Sequence, residues 1–503
     1  MEGSFDYLIV GAGSAGCVLA NRLSADPAVR VCLIEAGGSD ASPRVQIPAG
    51  TITLYKSKVF SWNYFSAPQK HLAGRRLHTP RGKALGGSSS MNSMIYIRGD
   101  ASDYDRWEAT GCPGWGWNGV LPYFKKSEGN CLGQSLHYHG TQGELLVDRP
   151  RDPNPLSERY IRAAEQIGLK RNDDFNGGSL EGVGLYNLTQ KNARRLSSYR
   201  AFVAPVRKRD NLVVLTGCEV ERLLLDGERV TGLELRQNGQ WCTLHCSRET
   251  ILCAGALGSP HILLKSGIGP KAELEAAGVA CKVDLPGVGK NLQDHIDGTL
   301  TVRSKSPLSL GFSVGALPKI IASPFKYLAQ KMGWLTTNYV EAGGFARTPL
   351  ADSLPDVQMH FVPGYRSHRG RLFEWGHGYA IHTCVLRPKS LGEVRLGEGR
   401  SLSIDFNFFS DEQDARVLLE GVKLARRILA QPQFADIRGD EKLPGPQVQS
   451  DEELLEHLRE YAATVFHPVG TCKMGEDPQA VVDLRLRVHG LKGLRVVDAS
   501  IMP

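Results

Sequence analysis

Four short segments carry residue types able to do chemistry. The first is Gly11-Ala12-Gly13-Ser14-Ala15-Gly16, a Gly-x-Gly-x-x-Gly pattern. Gly11 permits a tight turn, Gly13 lets the backbone approach a pyrophosphate, and Gly16 lets a helix pack close to a strand. A helix opening at such a turn offers phosphates its free N–H groups and the positive end of its dipole. Glu35 follows about 20 residues later, where a carboxylate accepts hydrogen bonds from a ribose diol. This is dinucleotide-binding chemistry. The motif does not separate NAD from FAD, but a carboxylate there would repel the extra phosphate of NADP.

The second segment is Arg81-Gly82-Lys83-Ala84-Leu85-Gly86-Gly87-Ser88-Ser89-Ser90-Met91-Asn92. Successive backbone N–H groups in such a turn form an anion nest, and its serines add hydroxyl donors. It runs directly into the apolar Ser93-Met94-Ile95-Tyr96-Ile97, so it reads as a loop entering the core beside a ligand. The third, Gly255 to Gly269, reads as a strand-to-helix joint, with Ser259 as N-cap, Pro260 in the first turn and Gly267 and Gly269 at the end. The fourth is His467-Pro468-Val469-Gly470-Thr471-Cys472-Lys473-Met474-Gly475. Asp498-Ala499-Ser500 follows a last short apolar run.

The elements that must position these residues are legible from periodicity. Asp6–Val10 and Val31–Ile34 are short apolar runs of buried parallel strands, and Cys17–Leu23 between them has helical character. Thr250–Ala254, Glu219–Leu223 and Leu494–Val497 also read as strands. In a later region Val357–Val362 and Ala380–Leu386 alternate as strands of an antiparallel sheet. Gly392–Leu396 and Leu402–Phe406 are expected to continue that sheet, and Ala415–Leu429 has helical spacing.

The 503 residues imply two or three units at roughly 100–200 residues each. A net charge of +7 without a dense basic run argues against nucleic-acid binding and leaves a weak attraction to an anionic membrane surface. Eleven cysteines, none in a Cys-x-x-Cys pair, read as free thiols of a reducing compartment. The acidic start lacks the basic region of a signal peptide, so a cytoplasmic location is expected, with peripheral contact at the inner membrane face. His137 and His139 show no ligand spacing, and no metal is expected.

Taken together, the segments resemble the glucose–methanol–choline (GMC) oxidoreductases over nearly the whole chain. Gly82 to Asp105 fits the family's first signature and Gly255 to Gly269 its second. Asn291-Leu292-Gln293-Asp294-His295 and His467-Pro468-Val469-Gly470-Thr471 are further family phrases. The chain is similar to the bacterial choline-dehydrogenase-like and FAD-dependent alcohol dehydrogenase members. The resemblance implies an α/β and α+β fold: a Rossmann-like FAD-binding domain and a substrate domain built on an antiparallel sheet. The first would comprise residues 1–150, 195–300 and 455–503, the second 151–194 and 301–454.

The resemblance also implies FAD as the cofactor. Gly11, Gly13, Ser14, Ala15 and Gly16 would hold the pyrophosphate, and Glu35 with Ala36 the adenosine ribose. Arg81, Gly86, Gly87, Ser88 and Asn92 would line pyrophosphate and flavin. Val220 would contact adenine, with Ala254 at the same end, and Asp498 and Ala499 would reach the ribityl–phosphate region. Some members attach FAD through a histidine where this chain has Met91, so FAD is expected to be non-covalent. His467 matches the family's active-site histidine, a proton acceptor or alkoxide stabiliser in alcohol oxidation.

The expected activity is oxidation of a primary aliphatic or aromatic alcohol to an aldehyde, with a quinone, dye or oxygen as electron acceptor. Trp62, Trp334, Tyr339, Phe361 and His360 are candidates for the pocket wall. Glu341 lies near Trp334 and Tyr339, the residue types that surround a quaternary ammonium. Family members usually continue past Asp-Ala-Ser-Ile-Met-Pro to a second catalytic residue, whereas the sequence ends at Pro503. An oxygen-using oxidase, a flavin-binding protein impaired by the lost tail and a cyanohydrin lyase of the same fold are the alternatives.

Overall fold

Five strands lie parallel because the connections between them are long enough to cross over. In the computed structural model, which describes residues 2–365 and 374–503, they run Leu212–Leu215, Val31–Ile34, Glu2–Val10, the second half of Gln240–Leu252, and Leu494–Val496. Met1 and residues 366–373, the latter within the second segment assigned to the substrate domain, lie outside the described residues. Every residue of Val31–Ile34 is buried, as an apolar run covered on both faces requires. Glu2–Val10 starts earlier than the predicted Asp6, because Glu2 to Phe5 pair with Thr243 to Cys246. The first half of the long strand Gln240–Leu252 turns to a different neighbour. It pairs antiparallel with Arg229–Gln237, which pairs in turn with Cys218–Asp226.

All five parallel strands end at one rim. Gly11, Glu35, Thr216, Cys253 and Val497 are the residues that leave it. In open parallel sheets, the crevice outside these carboxyl ends is where ligands bind.

The second sheet is antiparallel, in the order Arg438–Leu443, Ile296–Ser304, Gly378–Val385, Val357–Val362, Ala342–Ala346, Gly182–Leu185. Its alternation separates two faces. Leu300, Met359, Phe361, Tyr379 and Ile381 share a core with helices Pro155–Gln166, Glu412–Leu429 and Asp451–Tyr461. Asp297, Thr299, Gln358, His360, Ala380 and His382 face the other way, into a cavity. Helix Glu412–Leu429 starts three residues before the predicted Ala415 because Asp411 caps it, accepting a hydrogen bond from the Gln413 N–H.

Two expectations are corrected here. Strands Glu393–Leu396 and Leu402–Asp405 form a separate hairpin and do not continue the second sheet. Val394 donates its N–H to the Gly289 carbonyl at 2.7 Å, and Gly392 exchanges hydrogen bonds with Leu292. These contacts hold the hairpin beside helix Gly255–Lys265, whose His261 ring hydrogen-bonds the Arg400 carbonyl.

That helix begins at Gly255, not after Ser259. Pro260 therefore sits inside it and cannot donate to the carbonyl of Ala256. The hydroxyl of Thr471 takes the vacant place, donating to that carbonyl at 2.6 Å. Thr471 is fully buried, so Thr471→Val strands a buried acceptor and costs about 1–3 kcal/mol. In a Pro260→Ala background the restored N–H removes most of that cost. Thermal unfolding of both single variants and the double variant measures the coupling, and additive shifts would sink the explanation.

Candidate active site

The glycine turn packs so tightly that three of its neighbours fix its sequence. A Cβ on Gly16 would lie 2.0 Å from the Gly11 carbonyl oxygen, and one on Gly11, at φ +104°, would lie 2.4 Å from the Cys253 oxygen. Gly87 approaches equally closely, its ideal Cβ falling 2.8 Å from Gly13 Cα, and Gly86 donates its N–H to the Ala12 carbonyl at 2.8 Å. The two glycine-rich segments are thus packed back to back.

Gly13 differs from these. A Cβ there would meet only the Cys253 oxygen, at 3.9 Å. Nothing among the described residues excludes a Cβ at Gly13, whereas a pyrophosphate against the turn would. Helix Ser14–Leu23 opens at this point without a side-chain cap, and its first residue, Ser14, is exposed. That leaves the helix end accessible to an anion. These features fit the phosphates of a dinucleotide.

Glu35 is buried, with one carboxylate oxygen accepting from the Ala12 N–H at 3.0 Å and the other from the Gly37 N–H at 2.8 Å. Burial lifts its carboxyl to about 7 against the lowering effect of those two N–H groups. Ala36 follows it at the same rim. Strand Cys218–Asp226 begins beside this loop, since Cys218 donates to the Glu35 carbonyl at 3.0 Å; Val220, two residues on, is buried in the core. Asp498 joins the far side of the rim, accepting from the Gly255 N–H at 2.8 Å and the Ser259 hydroxyl at 2.6 Å. Ala254 donates its N–H to the same Ser259 hydroxyl. Ser259, expected as an N-cap, instead ties Asp498 to the helix.

A cavity of about 2670 Å³ lies between the two sheets, larger than the roughly 300–1,000 Å³ typical of small-ligand sites. Arg81, Ser88, Met91, Asn92 and His467 line it. The residues Gly11 to Gly16 of the turn, Glu35, Gly86, Gly87, Ala254, Asp498 and Ala499 do not, although Val18 and Leu19 of the helix that follows the turn reach it. The loop 81–92 joins the rim to the cavity. Of the aromatic candidates, Trp334, Tyr339 and His360 line the cavity. Phe361 faces the helices and stacks on Tyr160 at 4.8 Å, and Trp62 stacks on Tyr64 beneath Lys83. Glu341 also turns away, buried among the Asn154 N–H and the hydroxyls of Ser157 and Thr337.

His467 is placed by strand Ala463–Thr464, which pairs with the start of Ile296–Ser304. Val469 and Gln293 then exchange backbone hydrogen bonds. Between these pairs the chain bulges, with Phe466 at φ +71°. Asp294 fills the bulge, accepting from the His467 N–H at 2.8 Å and from the Thr464 hydroxyl. Arg81 donates to the Phe466 carbonyl at 2.8 Å, so it serves the histidine loop directly. The loop continues to the last strand, where Gly470 donates to the Ala499 carbonyl.

His467 is exposed on the wall of the cavity. Removal from bulk water, reinforced by His295, His360 and Arg81, holds its pKa well below the ordinary histidine value. The imidazole is therefore neutral and able to accept a proton at neutral pH. The ring of His295 lies edge-on to it, 5.6 Å between centroids, with a buried Nδ1 that has no hydrogen-bond partner among the described residues.

Residue types alone gave no role to Asp294, His295 or Arg195. Adjacent acid and imidazole in the Asp294-His295 phrase are the only signal for the first two. Arg195 is one of four cations between Lys191 and Arg200, yet its buried guanidinium joins the Val45 and Ser89 carbonyls, the Thr51 hydroxyl and the Asn92 side chain. It fixes the end of the nest.

The comparisons with known proteins agree with this geometry. The GMC oxidoreductase family models match residues 5–297 and 388–503. The chain is 45% identical to an alcohol dehydrogenase [acceptor] of Pseudomonas putida, over 99% of this chain and 91% of the relative. It is 38% identical to an oxygen-dependent choline dehydrogenase of Photobacterium profundum, over 100% and 89%. Among solved structures, pyridoxine 4-oxidase from Mesorbium loti superimposes with a TM-score of 0.88 at 34% identity, covering 99% of this chain and 94% of the other. A fungal aryl-alcohol oxidase gives 0.83 at 26%, covering 99% and 95%. The chain belongs to the GMC oxidoreductase family and is an FAD-dependent enzyme of alcohol oxidation.

Proposed function

We propose that this chain oxidises a primary aliphatic or aromatic alcohol to the aldehyde and passes the electrons to a quinone or another acceptor other than oxygen. The observation that carries the reading is His467, held neutral by its surroundings and open to the cavity. Bound FAD supplies the hydride acceptor for the carbinol C–H bond. His467 takes the hydroxyl proton, and the backbone anchor on Asp294 keeps its ring at the cavity wall.

In this reading Gly11, Gly13, Ser14, Ala15 and Gly16 hold the pyrophosphate, Glu35 and Ala36 the ribose, and Val220 and Ala254 the adenine end. Arg81, Gly86, Gly87, Ser88, Asn92, Asp498 and Ala499 complete the cradle. Met91 presents a thioether, not a nucleophile, to the cavity, which supports non-covalent FAD. The two sheets support a cofactor domain of residues 1–150, 195–300 and 455–503 and a substrate domain of 151–194 and 301–454. With Glu341 turned into the core, the acid expected beside Trp334 and Tyr339 is missing from the wall. This weighs against a quaternary ammonium held between Trp334 and Tyr339. None of the described cysteines is joined in a disulfide, which supports a cytoplasmic location. No helix among the described residues is long and apolar enough to cross a membrane, so contact with the inner membrane face would be peripheral.

Anaerobic addition of a primary alcohol is expected to bleach the flavin band and release aldehyde. On admitting air the band returns slowly, and a soluble quinone restores it quickly. Rapid return with oxygen alone would make the enzyme an oxidase, and failure of every primary alcohol to bleach it would overturn the substrate class.

A further inference from the structure

Helix Leu317–Gln330 turns large apolar side chains outward. Its sequence is Leu-Pro-Lys-Ile-Ile-Ala-Ser-Pro-Phe-Lys-Tyr-Leu-Ala-Gln, and only Ser323 and Tyr327 are buried. Leu317, Ile321, Phe325 and Leu328 recur at three- and four-residue spacing and therefore share a face. That face points into solvent: their exposures are 46%, 66%, 72% and 68%. Val314, in the turn just before the helix, is 72% exposed, and Trp375, beside Phe312 at the start of the same region, is 69% exposed. A contiguous exposed apolar stripe of this kind marks an interaction surface.

Charge identifies the partner. From Gly298 to Val340 the chain has no aspartate or glutamate, while Arg303, Lys305, Lys319, Lys326 and Lys331 all fall within it. Lys326 reaches Asp152 at 3.3 Å, and Lys331 lies over the ring of Tyr327. An apolar stripe edged by lysines, in a stretch of chain that carries no acid of its own, is complementary to an anionic lipid surface, where apolar side chains enter the interfacial layer and cations meet phosphates. The helix's other side closes the cavity, through Ile320, Ser323 and Pro324.

We propose that helix Leu317–Gln330 docks this protein on an anionic bilayer, with Leu317, Ile321, Phe325, Leu328 and Trp375 in the interfacial layer. The cavity then opens beside the lipid, where apolar alcohols and quinones concentrate. Docking goes beyond the alcohol-oxidising reading and does not depend on it; only the route of delivery rests on that reading.

The test is sedimentation of the FAD-loaded full chain with extruded vesicles. Vesicles containing phosphatidylglycerol are compared with pure phosphatidylcholine, for the parent and for Ile321→Glu/Phe325→Glu/Leu328→Glu. The parent should pellet with the anionic vesicles and less so as salt rises, and the triple variant should partition about tenfold less or weaker still. The variant's flavin bleaching by a short alcohol, with a soluble dye as acceptor, should be unchanged. Lys319→Gln/Lys331→Gln, which leaves the apolar stripe intact, should also pellet less and covers the case of a misfolded triple variant.

A parent that stays in the supernatant with both vesicle types overturns the proposal, as does a folded triple variant that pellets like the parent. So does a parent dimer in light scattering that the substitutions dissolve without altering vesicle partition, since the stripe then belongs to a second copy. A chain that pellets but never bleaches refutes the alcohol reading and leaves the docking standing.

Discussion

His467→Ala reduces the flavin about 10²–10⁴-fold more slowly than the parent enzyme, with FAD content unchanged. The magnitude is that of losing a positioned proton acceptor, because the hydroxyl proton would then have to leave unaided. FAD should be retained because the strand-end rim is built from other residues, Gly11 to Glu35 among them. Anaerobic stopped-flow bleaching with a primary alcohol measures the rate, and the flavin-to-protein absorbance ratio measures retention. A variant reduced at close to the parent rate would remove His467 from the chemistry. The pH profile provides a second arm. A base works when unprotonated, and the pKa of His467 lies well below the ordinary histidine value of about 6.5. The parent's reduction rate should therefore stay level as pH falls from 8 through 6.5, with the decline reserved for more acidic solution.

Gly13→Val should abolish most FAD binding and leave the apo fold intact. The reasoning is the space around it: a Cβ there meets nothing closer than 3.9 Å among the described residues beyond its chain neighbours, and its φ of −78° suits any residue. The clash is with the pyrophosphate alone. Overpacking of about 1–3 kcal/mol corresponds to a loss of affinity of roughly 5- to 150-fold. Gly11→Ala is the contrasting control. Its φ of +104° and the 2.4 Å approach to the Cys253 oxygen put the cost on the fold itself, roughly 2–4 kcal/mol. Flavin fluorescence quenching read beside thermal unfolding separates the two, and equal loss of stability in both variants would refute the distinction.

The contrast between these glycines shows what a sequence can convey. The pattern from Gly11 to Glu35 was legible because strand, turn, helix and acid are local and each has its own periodicity. Val357–Val362 was equally legible as a strand, with the bounds the structure gives it. Its alternation showed two faces without saying which met helices, so His360 reached the cavity and Phe361 did not. The hairpin Glu393–Leu396 with Leu402–Asp405 was read correctly as strands and assigned to the wrong sheet, because its partners at Gly289 and Leu292 lie about a hundred residues away. Ser259-Pro260 mimicked a helix start, and only Thr471, remote in sequence, makes the true start at Gly255 tolerable. Glu341 had the right type and neighbours for a pocket wall. Which way a side chain turns depends on the backbone opposite it, here Asn154.

The position of strand Leu494–Val496 bears on how the protein is made. It pairs with Gln240–Leu252, next to the first strand of the chain, and the Asp498 that follows it accepts the Gly255 N–H and the Ser259 hydroxyl. During synthesis, several hundred residues must leave the ribosome before that side of the crevice closes. Pairings so distant in sequence form slowly and expose apolar edges meanwhile. That side of the crevice is therefore completed only after residues 494–498 have been made, whatever the rest of the sheet has already formed.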